Sequence, residues 1–324
     1  MVYLKMFNNL FEEFKDFLVS HCNFFSTKKK SINFNDYEIN HKFLSKLSED
    51  EYPACLEYIY NKQTGENLNL KNPKTFNEKV QWLKLNDNSP IKSQLTDKIL
   101  VRDWVKSKIG EEYLKPVLWI GKNFDDIPFE ELPDRFIIKT NHGCKWHFAI
   151  KDKKRFIETP QVYNFVRNKF NEWMNLCFCW FAGFEMQYKD IEPKILIEPL
   201  LWEEGHKSPI DFEIFCFNEA PKLCEVITNT DPRMSTVFNE KGEILDVKFF
   251  KKGIYIVQQP HKLLEKAVEL SKILCKDFKL VRVDWMVYND KLYFNEMTFT
   301  PQSGFYDFSD CKQNIKLGDM LKLN

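Results

Sequence analysis

Lys279-Leu-Val-Arg-Val-Asp-Trp-Met-Val-Tyr-Asn-Asp-Lys-Leu-Tyr-Phe-Asn-Glu-Met-Thr298 reads as two strands joined by a polar turn, and the rest of the fold is read outward from it. Successive side chains of a strand point to opposite faces. Arg282 and Asp284 therefore share one face of the first strand, and Val281, Val283, Trp285 and Val287 share the other. In the second strand Glu296 and Thr298 are expected on one face together with Phe294. Register decides whether the charged faces coincide. A three-residue loop, Asn289-Asp290-Lys291, sets Tyr288 opposite Leu292, Asp284 opposite Glu296 and Arg282 opposite Thr298. A two-residue loop sets Asp284 opposite Asn295 and turns Glu296 away. We expect the first arrangement, or a bulge with the same effect. It brings two carboxylates to Cβ atoms about 5 Å apart. Bare carboxylates that close repel unless a cation or a proton lies between them. Such an oxygen cluster suits Mg²⁺, which takes one or two carboxylates plus substrate phosphates. The competing reading, a solvated hairpin with scattered charges, fits poorly with the apolar residues on the opposite face.

Around this hairpin the chain alternates strands with helices. Strands are expected over 135–140, 145–151 and 194–201, a hairpin over 212–217 and 222–228 around Asn218-Glu219-Ala220, and the last hairpin over 280–288 and 292–300. Helices are expected over 158–175, beginning near Thr159-Pro160, and over 261–276. Upstream, Thr75 can cap a helix, and Glu78 three residues on completes a capping box. A second helix over 97–109 stops at Gly110. Residues 1–95 read as helices separated by polar turns, with Lys28-Lys29-Lys30-Ser31 and Thr64-Gly65-Glu66-Asn67 as linkers or turns. The order of elements predicts an α+β or mixed α/β fold.

Bulk composition narrows the function. The 324 residues suffice for two domains or one domain with lobes, and 44% apolar content with 30 Phe excludes wholesale disorder. Lys plus Arg equals Asp plus Glu at 47 each, which argues against a duplex-DNA binder and predicts no nucleic-acid partner. Nine cysteines, mostly in apolar runs and without two spaced pairs, read as reduced thiols of a cytoplasmic protein rather than a zinc site. No secretory signal pattern opens the chain, and the longest uncharged run, 173–184, is too short to span a membrane. Phe7, Leu10, Phe11, Phe14, Phe17 and Leu18 fall at helical spacing, as a stripe against the protein's own core or as a membrane-surface or partner-binding face.

Two further segments are candidates for phosphate and nucleotide contacts. Arg135-Phe-Ile-Ile-Lys139 ends a strand on a lysine beside the turn Thr140-Asn-His-Gly-Cys-Lys145. A lysine so placed can hold phosphate oxygens by charge, with the N–H groups of the turn pointing at the same anion, and taken alone it reads as readily as a surface lysine. One glycine is not a glycine-rich loop, and a P-loop is absent. In Ile195-Leu-Ile-Glu198-Pro199-Leu200-Leu201 a strand changes character at Glu-Pro, where proline frees a ladder position. It reads equally as a hinge at a purine edge and as a buried strand that ends at a proline.

The ordered set of these segments resembles the ATP-grasp superfamily, and within it the TupA-like branch associated with teichuronopeptide and polysaccharide biosynthesis. The resemblance rests on Asn72-Pro-Lys-Thr-Phe-Asn-Glu-Lys79 with Gln81-Trp-Leu83, on Thr96-Asp97-Lys98 with Arg102 and Gly110, and on Phe136-Ile-Ile-Lys139-Thr-Asn-His-Gly143. It continues through Arg282-Val-Asp284 and Tyr293-Phe-Asn-Glu296-Met-Thr298-Phe-Thr-Pro301 to Ser303-Gly304-Phe305. It implies a helical region over 1–95, a first lobe over 96–197 and a second over 198–324, with a nucleotide cleft between the lobes. It implies ATP and Mg²⁺ as cofactors. Lys98 and Lys139 would contact phosphates, and the loop Asn141, His142, Gly143 to Lys145 would close over them. Glu198, Pro199 and Leu200 would meet the adenine and ribose. Asp284, Glu296 and Thr298 would face the metal, and Arg282 would steady the oxyanion. Three positions depart from the family pattern: Thr298 stands where asparagine is common, Glu213 where a basic residue is usual, and Gln302 where glycine is frequent.

The implied activity is ligation of a carboxylate to an amine through an acyl phosphate. The partners would be a small-molecule or glycan-linked carboxylate, such as a uronic acid of a bacterial surface polysaccharide or capsule, and an amine. A loose association with membrane-bound glycan-assembly machinery would accompany it. The alternatives are a glycosyltransferase of a polysaccharide locus, for which Asp125-Asp126 is the nearest approach to a metal-binding Asp-x-Asp pair, and a non-catalytic nucleotide-binding protein.

Overall fold

The computed structural model describes residues 41, 44–181, 183–201, 209–228 and 232–323. The apolar stripe of residues 7–18 and the lysine run 28–30 lie outside them. Two antiparallel-rich sheets organise the chain. The smaller has the order β1-β4-β2-β3, from β1 (Trp119–Gly121), β2 (Phe136–Thr140), β3 (His147–Ile150) and β4 (Ile195–Pro199), every neighbouring pair antiparallel. The larger has the order β10-β9-β5-β6-β7-β8. Its strands are β5 (Ile210–Phe217), β6 (Ala220–Thr228), β7 (Met234–Asn239), β8 (Ile254–Tyr255), β9 (Leu280–Tyr288) and β10 (Lys291–Thr298). Among the described strands only β7 and β8 run parallel. The fold is α+β, with helices ahead of the sheets, as the sequence predicts.

Among the described residues eight α-helices pack around the sheets: α1 (Tyr52–Thr64), α2 (Phe76–Asn86), α3 (Pro90–Thr96), α4 (Leu100–Ile109), α5 (Lys153–Ile157), α6 (Pro160–Trp173), α7 (Leu264–Leu274) and α8 (Cys311–Met320). Val166, Phe170 and Trp173 of α6 pack with Phe136, Ile138 and Phe148 of the small sheet. Val101 and Val105 of α4 and Ala267, Leu270 and Leu274 of α7 cover one face of the large sheet. The expected helix over 97–109 is thus α4 preceded by Asp97, whose carboxylate accepts the N–H groups of Ile99 and Leu100 at 2.8 and 3.3 Å. α4 falls within the stretch expected as a first lobe, and its apolar side belongs to the core under the large sheet.

α2 starts at the expected capping box. Thr75 accepts from the Glu78 N–H, and the Glu78 carboxylate accepts the Thr75 N–H at 2.9 Å, an arrangement that satisfies two otherwise orphaned helix-start donors. Its apolar residues Phe76, Val80 and Leu83 join Phe215, Phe217 and Leu280 of the large sheet in one core. Its polar side grips the segment after β10. The Gln81 carboxamide donates to the carbonyls of Ser303 and Gly304, both at 2.9 Å, and the Asn77 amide donates to the Tyr306 carbonyl at 2.9 Å. Gly318 of α8 lies so close to the Lys74 carbonyl that a Cβ would collide with backbone. Residues 76–86 are therefore structural partners of the C-terminal segment.

The last hairpin differs from the expected three-residue loop and reaches the same pairing by the alternative route. Asn289 and Asp290 form a two-residue loop, both at positive φ (49° and 57°), so Lys291 faces Tyr288. Such loops need left-handed residues, and asparagine and aspartate tolerate that region. A one-residue bulge at Asn295 then shifts the register, and Glu296 faces Asp284 while Thr298 faces Arg282. The bulge also corrects the expected placement of Phe294. Phe294 pairs with Trp285 on the apolar face, ring centroids 5.9 Å apart at 88°, and Glu296 points to the opposite face. Trp285 is 1% exposed, and its indole N–H donates to the Ser271 hydroxyl of α7 at 2.8 Å. Burial of rings such as Trp285 and Phe294, each contributing about 2–3 kcal/mol, anchors this hairpin in its register.

Candidate active site

The hairpin β5–β6 repeats the device of β9–β10. Asn218 and Glu219 form a two-residue loop at positive φ, and a register shift after Phe215 sets Glu213 opposite Glu225. β5 also pairs with β9, with Glu213 opposite Asp284. Glu225, Glu213, Asp284 and Glu296 consequently form one row across four adjacent strands, on the face opposite the apolar core. That face is divided. Phe215, Phe217, Leu223 and Leu280 toward one end pack under α2 and α8, and the carboxylate row begins where they stop.

Arg282 sits at the division, its guanidinium 5.8 Å over the Phe215 ring. It donates to both Asp284 oxygens at 2.7 and 2.6 Å and pairs with Glu213 at 3.0 Å. Burial disfavours its charge, but Asp284 and Glu213 outweigh that and hold it protonated. Thr298 Oγ1 lies 3.4 Å from Asp284 Oδ2 and 3.5 Å from Glu296 Oε1, between the two acids. At Glu296 burial opposes ionisation, and Lys98, Arg282 and Lys139 overcome it to lower the pKa. At the far end of the row Glu225 is pushed up to about 7, by burial and then by the neighbouring Glu213 charge.

Cations from the small sheet and α4 stand against this row. Lys139 on β2 and Glu198 on β4 lie on one face of neighbouring strands and pair at 2.6 Å. Lys115 and Arg102 add ion pairs to Glu198 at 3.3 and 3.5 Å. Burial works against the charge of Glu198, which is 3% exposed, yet the three cations carry its pKa down to about 2. Lys139 is lowered to about 8, by burial first, with Glu198 opposing. Two contacts tie the cations to the hairpin: Lys98 lies 3.6 Å from Glu296, and Lys115 donates to the Asn295 carboxamide at 2.9 Å.

The loop after β2 is built from its own polar groups. Asn141 donates to Asp97 at 2.9 Å and to the Glu192 carbonyl at 3.0 Å, and its oxygen accepts the Lys194 N–H at 2.7 Å. His142 is buried between Asn141 Oδ1 and the Trp173 carbonyl, both at 3.1 Å. Burial holds its pKa near 4, so the ring is neutral. Gly143 packs against Trp146, where a Cβ would run into the indole ring, and its carbonyl accepts from Lys98 at 2.7 Å. Asn141 and His142 thus shape the loop, and Lys98 fastens its tip. Lys145, at positive φ (61°), lies at the loop's end, within the field of Glu213 and Arg282. Pro199 ends β4, and the Leu200 N–H donates to the Arg135 carbonyl at 3.3 Å, so the stretch expected as a hinge at Glu198 and the backbone after it continues to lean on β2 as far as Leu200; residues 202–208 lie outside the described residues.

The structure therefore brings together Lys98, Lys139, Glu198, Arg282, Asp284, Glu296 and Thr298, and adds residues to which sequence reasoning assigned no role. Lys115 and Arg102 carried no strand-end or turn signal. Glu213 reaches the row through the regular pairing of β5 with β9, two strands far apart in sequence, and Glu225 through a bulge in β6 that alternation does not reveal. Among the described residues no three or more His, Cys, Asp and Glu side chains are arranged to hold a metal ion by themselves. Asp284, Glu296 and the Thr298 hydroxyl offer the oxygen donors that magnesium combines with phosphate oxygens and water.

A sequence model of the TupA-like ATP-grasp family matches residues 78–322, and the chain belongs to that family. A search of curated proteins found no match. Similar solved structures include a D-alanine–D-alanine ligase from Bacillus anthracis complexed with ATP, at 14% identity and a TM-score of 0.38, covering 63% of this chain and 55% of that one. The D-alanine–D-alanine ligase of Helicobacter pylori matches at 17% identity and 0.37, covering 70% and 61%. The ATP-grasp ligase PsnB, complexed with a phosphomimetic variant of its minimal precursor, Mg and ADP, matches at 10% identity and 0.38, covering 75% and 64%. This chain spans 55–64% of the length of these three ligases. The family assignment rests on the sequence match. No helix among the described residues is long and apolar enough to cross a membrane.

Proposed function

We propose that the protein is an ATP- and magnesium-dependent carboxylate–amine ligase. The observation that carries this reading is the approach of Lys98, and of Lys115 and Lys139 gathered around Glu198, to the hairpin of the Asp284–Glu296 pair, through Lys98 at Glu296 and Lys115 at Asn295. Acids that share a metal and cations that receive phosphate oxygens are the two halves of a polyphosphate site. Bound magnesium would neutralise charge on the transferring phosphoryl group.

Lys98 and Lys139 hold the phosphates, and the loop Asn141, His142, Gly143 to Lys145 covers them through its backbone. Glu198, Pro199 and Leu200 border the nucleotide. Glu198 also orients Lys139 through their ion pair. Asp284, Glu296 and Thr298 hold the metal. A substrate carboxylate oxygen attacks the γ-phosphorus, the bond to the β-phosphate oxygen breaks, and ADP leaves. The amine nitrogen then attacks the acyl carbon, the carbon–oxygen bond to phosphate breaks, and the surplus amine proton passes to solvent or phosphate. Arg282, held by two carboxylates, presents a fixed positive charge to the oxyanion of that second step.

The acid in this reading is a uronic acid or another carboxylate of a bacterial surface glycan or its precursor, and the protein works in the cytoplasm, loosely associated with membrane-bound glycan-assembly machinery. The glycosyltransferase alternative has no support at Asp125-Asp126: Asp125 is bound in a bidentate pair by Arg167, and Asp126 accepts from Asn123. The test is a panel of uronates and amines incubated with ATP and Mg²⁺. Release of ADP and phosphate only when acid and amine are both present, with the amide found by mass spectrometry, is the expected result. Consumption of a nucleotide sugar without ATP, or ATP binding with no turnover across the panel, would overturn it.

A further inference from the structure

A cavity of about 730 Å³ opens away from the carboxylate row, between α3, α4 and the C-terminal end of α7. Its size is that of a small-molecule site, and its charge is lopsided. Five lysines border it, from three stretches of chain (Lys92, Lys108, and Lys272, Lys276 and Lys279), against two aspartates. Lys92 lies at its base, 6% exposed, paired with Asp87 at 2.7 Å and 5.3 Å over the Phe299 ring. Lys279 donates to the Leu323 carbonyl at 2.6 Å. Among the described residues Lys108, Lys272 and Lys276 make no ion pair with a carboxylate.

The dipoles of α4 and α7 account for a lysine near each helix end. They do not account for the convergence of cations from different elements on one concave surface, where like charges repel. The walls are also apolar: Ile91 and Ile273 are 37% and 47% exposed into solvent, and Trp104 lines the side with Lys108 5.7 Å from its ring. A ligand that relieves this charge has closely spaced negative groups, and one that covers this wall has a compact organic body.

We propose that the cavity is a second ligand site, taking a compact organic anion with two or more carboxylate or phosphate groups, such as an acidic oligosaccharide or a phosphorylated sugar. Lys108, Lys272 and Lys276 receive the charges, and Trp104 with the two isoleucines receives the body. The site is independent of the nucleotide chemistry: Lys279, at its edge, is three residues and roughly 10 Å of strand from Arg282, on the other face of the sheet.

The test titrates the full chain with inorganic pyrophosphate, with tri-galacturonic acid and with neutral maltotriose, read by calorimetry and by tryptophan fluorescence. We expect one or both anions to bind and maltotriose not to, and the two anion arms tell phosphate from carboxylate recognition. The K108Q/K272Q/K276Q variant should lose about tenfold or more in affinity, and Trp104→Phe should remove the fluorescence change. Unchanged anion affinity in the triple variant would mean that the anions sit elsewhere, the nucleotide cleft included, and would overturn the proposal. So would failure of both anions to bind, or binding only to phosphatidylglycerol vesicles. Should the triple variant not fold, Lys276→Gln alone, at an exposed position, should weaken binding about twofold to threefold, and no change there counts against the site.

Discussion

The ammonium of Lys98 joins two parts of the site at once: it lies 3.6 Å from Glu296 on the last hairpin and 2.7 Å from the Gly143 carbonyl at the tip of the loop after β2. A single side chain ahead of α4 thereby couples the loop that would cover a polyphosphate to the acid that would hold its metal.

Asp284→Asn and Glu296→Gln should each reduce ligase turnover by about 10³-fold or more, since loss of a metal ligand removes several kcal/mol of transition-state stabilisation. The apolar side of the hairpin does not involve either residue, so circular dichroism should stay near wild type in both, while Asp284→Asn alone should lower the denaturation midpoint, because it removes one of the two carboxylates that hold the buried Arg282. Near-full activity in both variants would defeat the metal assignment.

Arg282→Ala should lower kcat by about 10²–10³ while the KM for ATP changes little, as expected for a group whose partner charge develops in the transition state. It also leaves Asp284 and Glu213 facing each other without their shared cation. The variant should therefore be less stable as well, and Arg282→Lys should recover stability before it recovers rate, because an ammonium cannot span both acids with the same geometry. Steady-state kinetics and urea denaturation on the same samples separate the two effects.

Glu198→Ala strands three cations, Arg102, Lys115 and Lys139, in a buried cluster. Breaking a buried ion network by removing one member costs about 3–5 kcal/mol, and urea denaturation at pH 7 should show a loss of that size. A loss below about 1 kcal/mol would mean that solvent screens the cluster.

Glu225 and Glu198 should give opposite pH signatures. The raised pKa of Glu225, about 7, means that the folded state binds its proton more tightly than the unfolded chain, so its stabilising contribution is present below pH 4.5 and is lost as pH rises to about 7. Glu225→Gln should therefore be more stable than wild type at pH 8, by about 2–3 kcal/mol, and close to wild type at pH 4.5. The lowered pKa of Glu198, about 2, has the reverse sign: its contribution is present above pH 4.5 and is lost as pH falls toward 2. Denaturation curves of wild type and Glu225→Gln from pH 4.5 to 8 check the first; equal slopes would refute it.

The elements were legible in the sequence wherever periodicity and end signals agreed. α2 begins at the expected Thr75–Glu78 box, and α7 and the strands of both hairpins lie close to their expected ranges. Alternation placed Arg282 and Asp284 on one face correctly, because β9 is regular throughout. It misplaced Phe294 because a single extra residue, Asn295, reverses every side chain after it. The same mechanism hid Glu225. Long-range cations such as Lys115 were invisible for a different reason: nothing local distinguishes a lysine that meets a carboxylate 83 positions later from one that meets water. The order of strands in the two sheets likewise depends on pairings between distant segments, which local propensity does not encode.

The amide of Asn77 waits for a carbonyl 229 positions further along, at Tyr306, and Gln81 waits for Ser303 at a separation of 222. During synthesis α2 therefore emerges long before its partners exist, and its apolar residues Phe76, Val80 and Leu83 have no cover until β5 supplies Phe215 and Phe217, and incomplete cover until Leu280, Tyr306 and Leu317 follow. Pairings this distant fold slowly and leave sticky intermediates. Recombinant production should accordingly benefit from slower translation at low temperature or from added chaperones, and a fragment that stops before residue 300 should accumulate as aggregate.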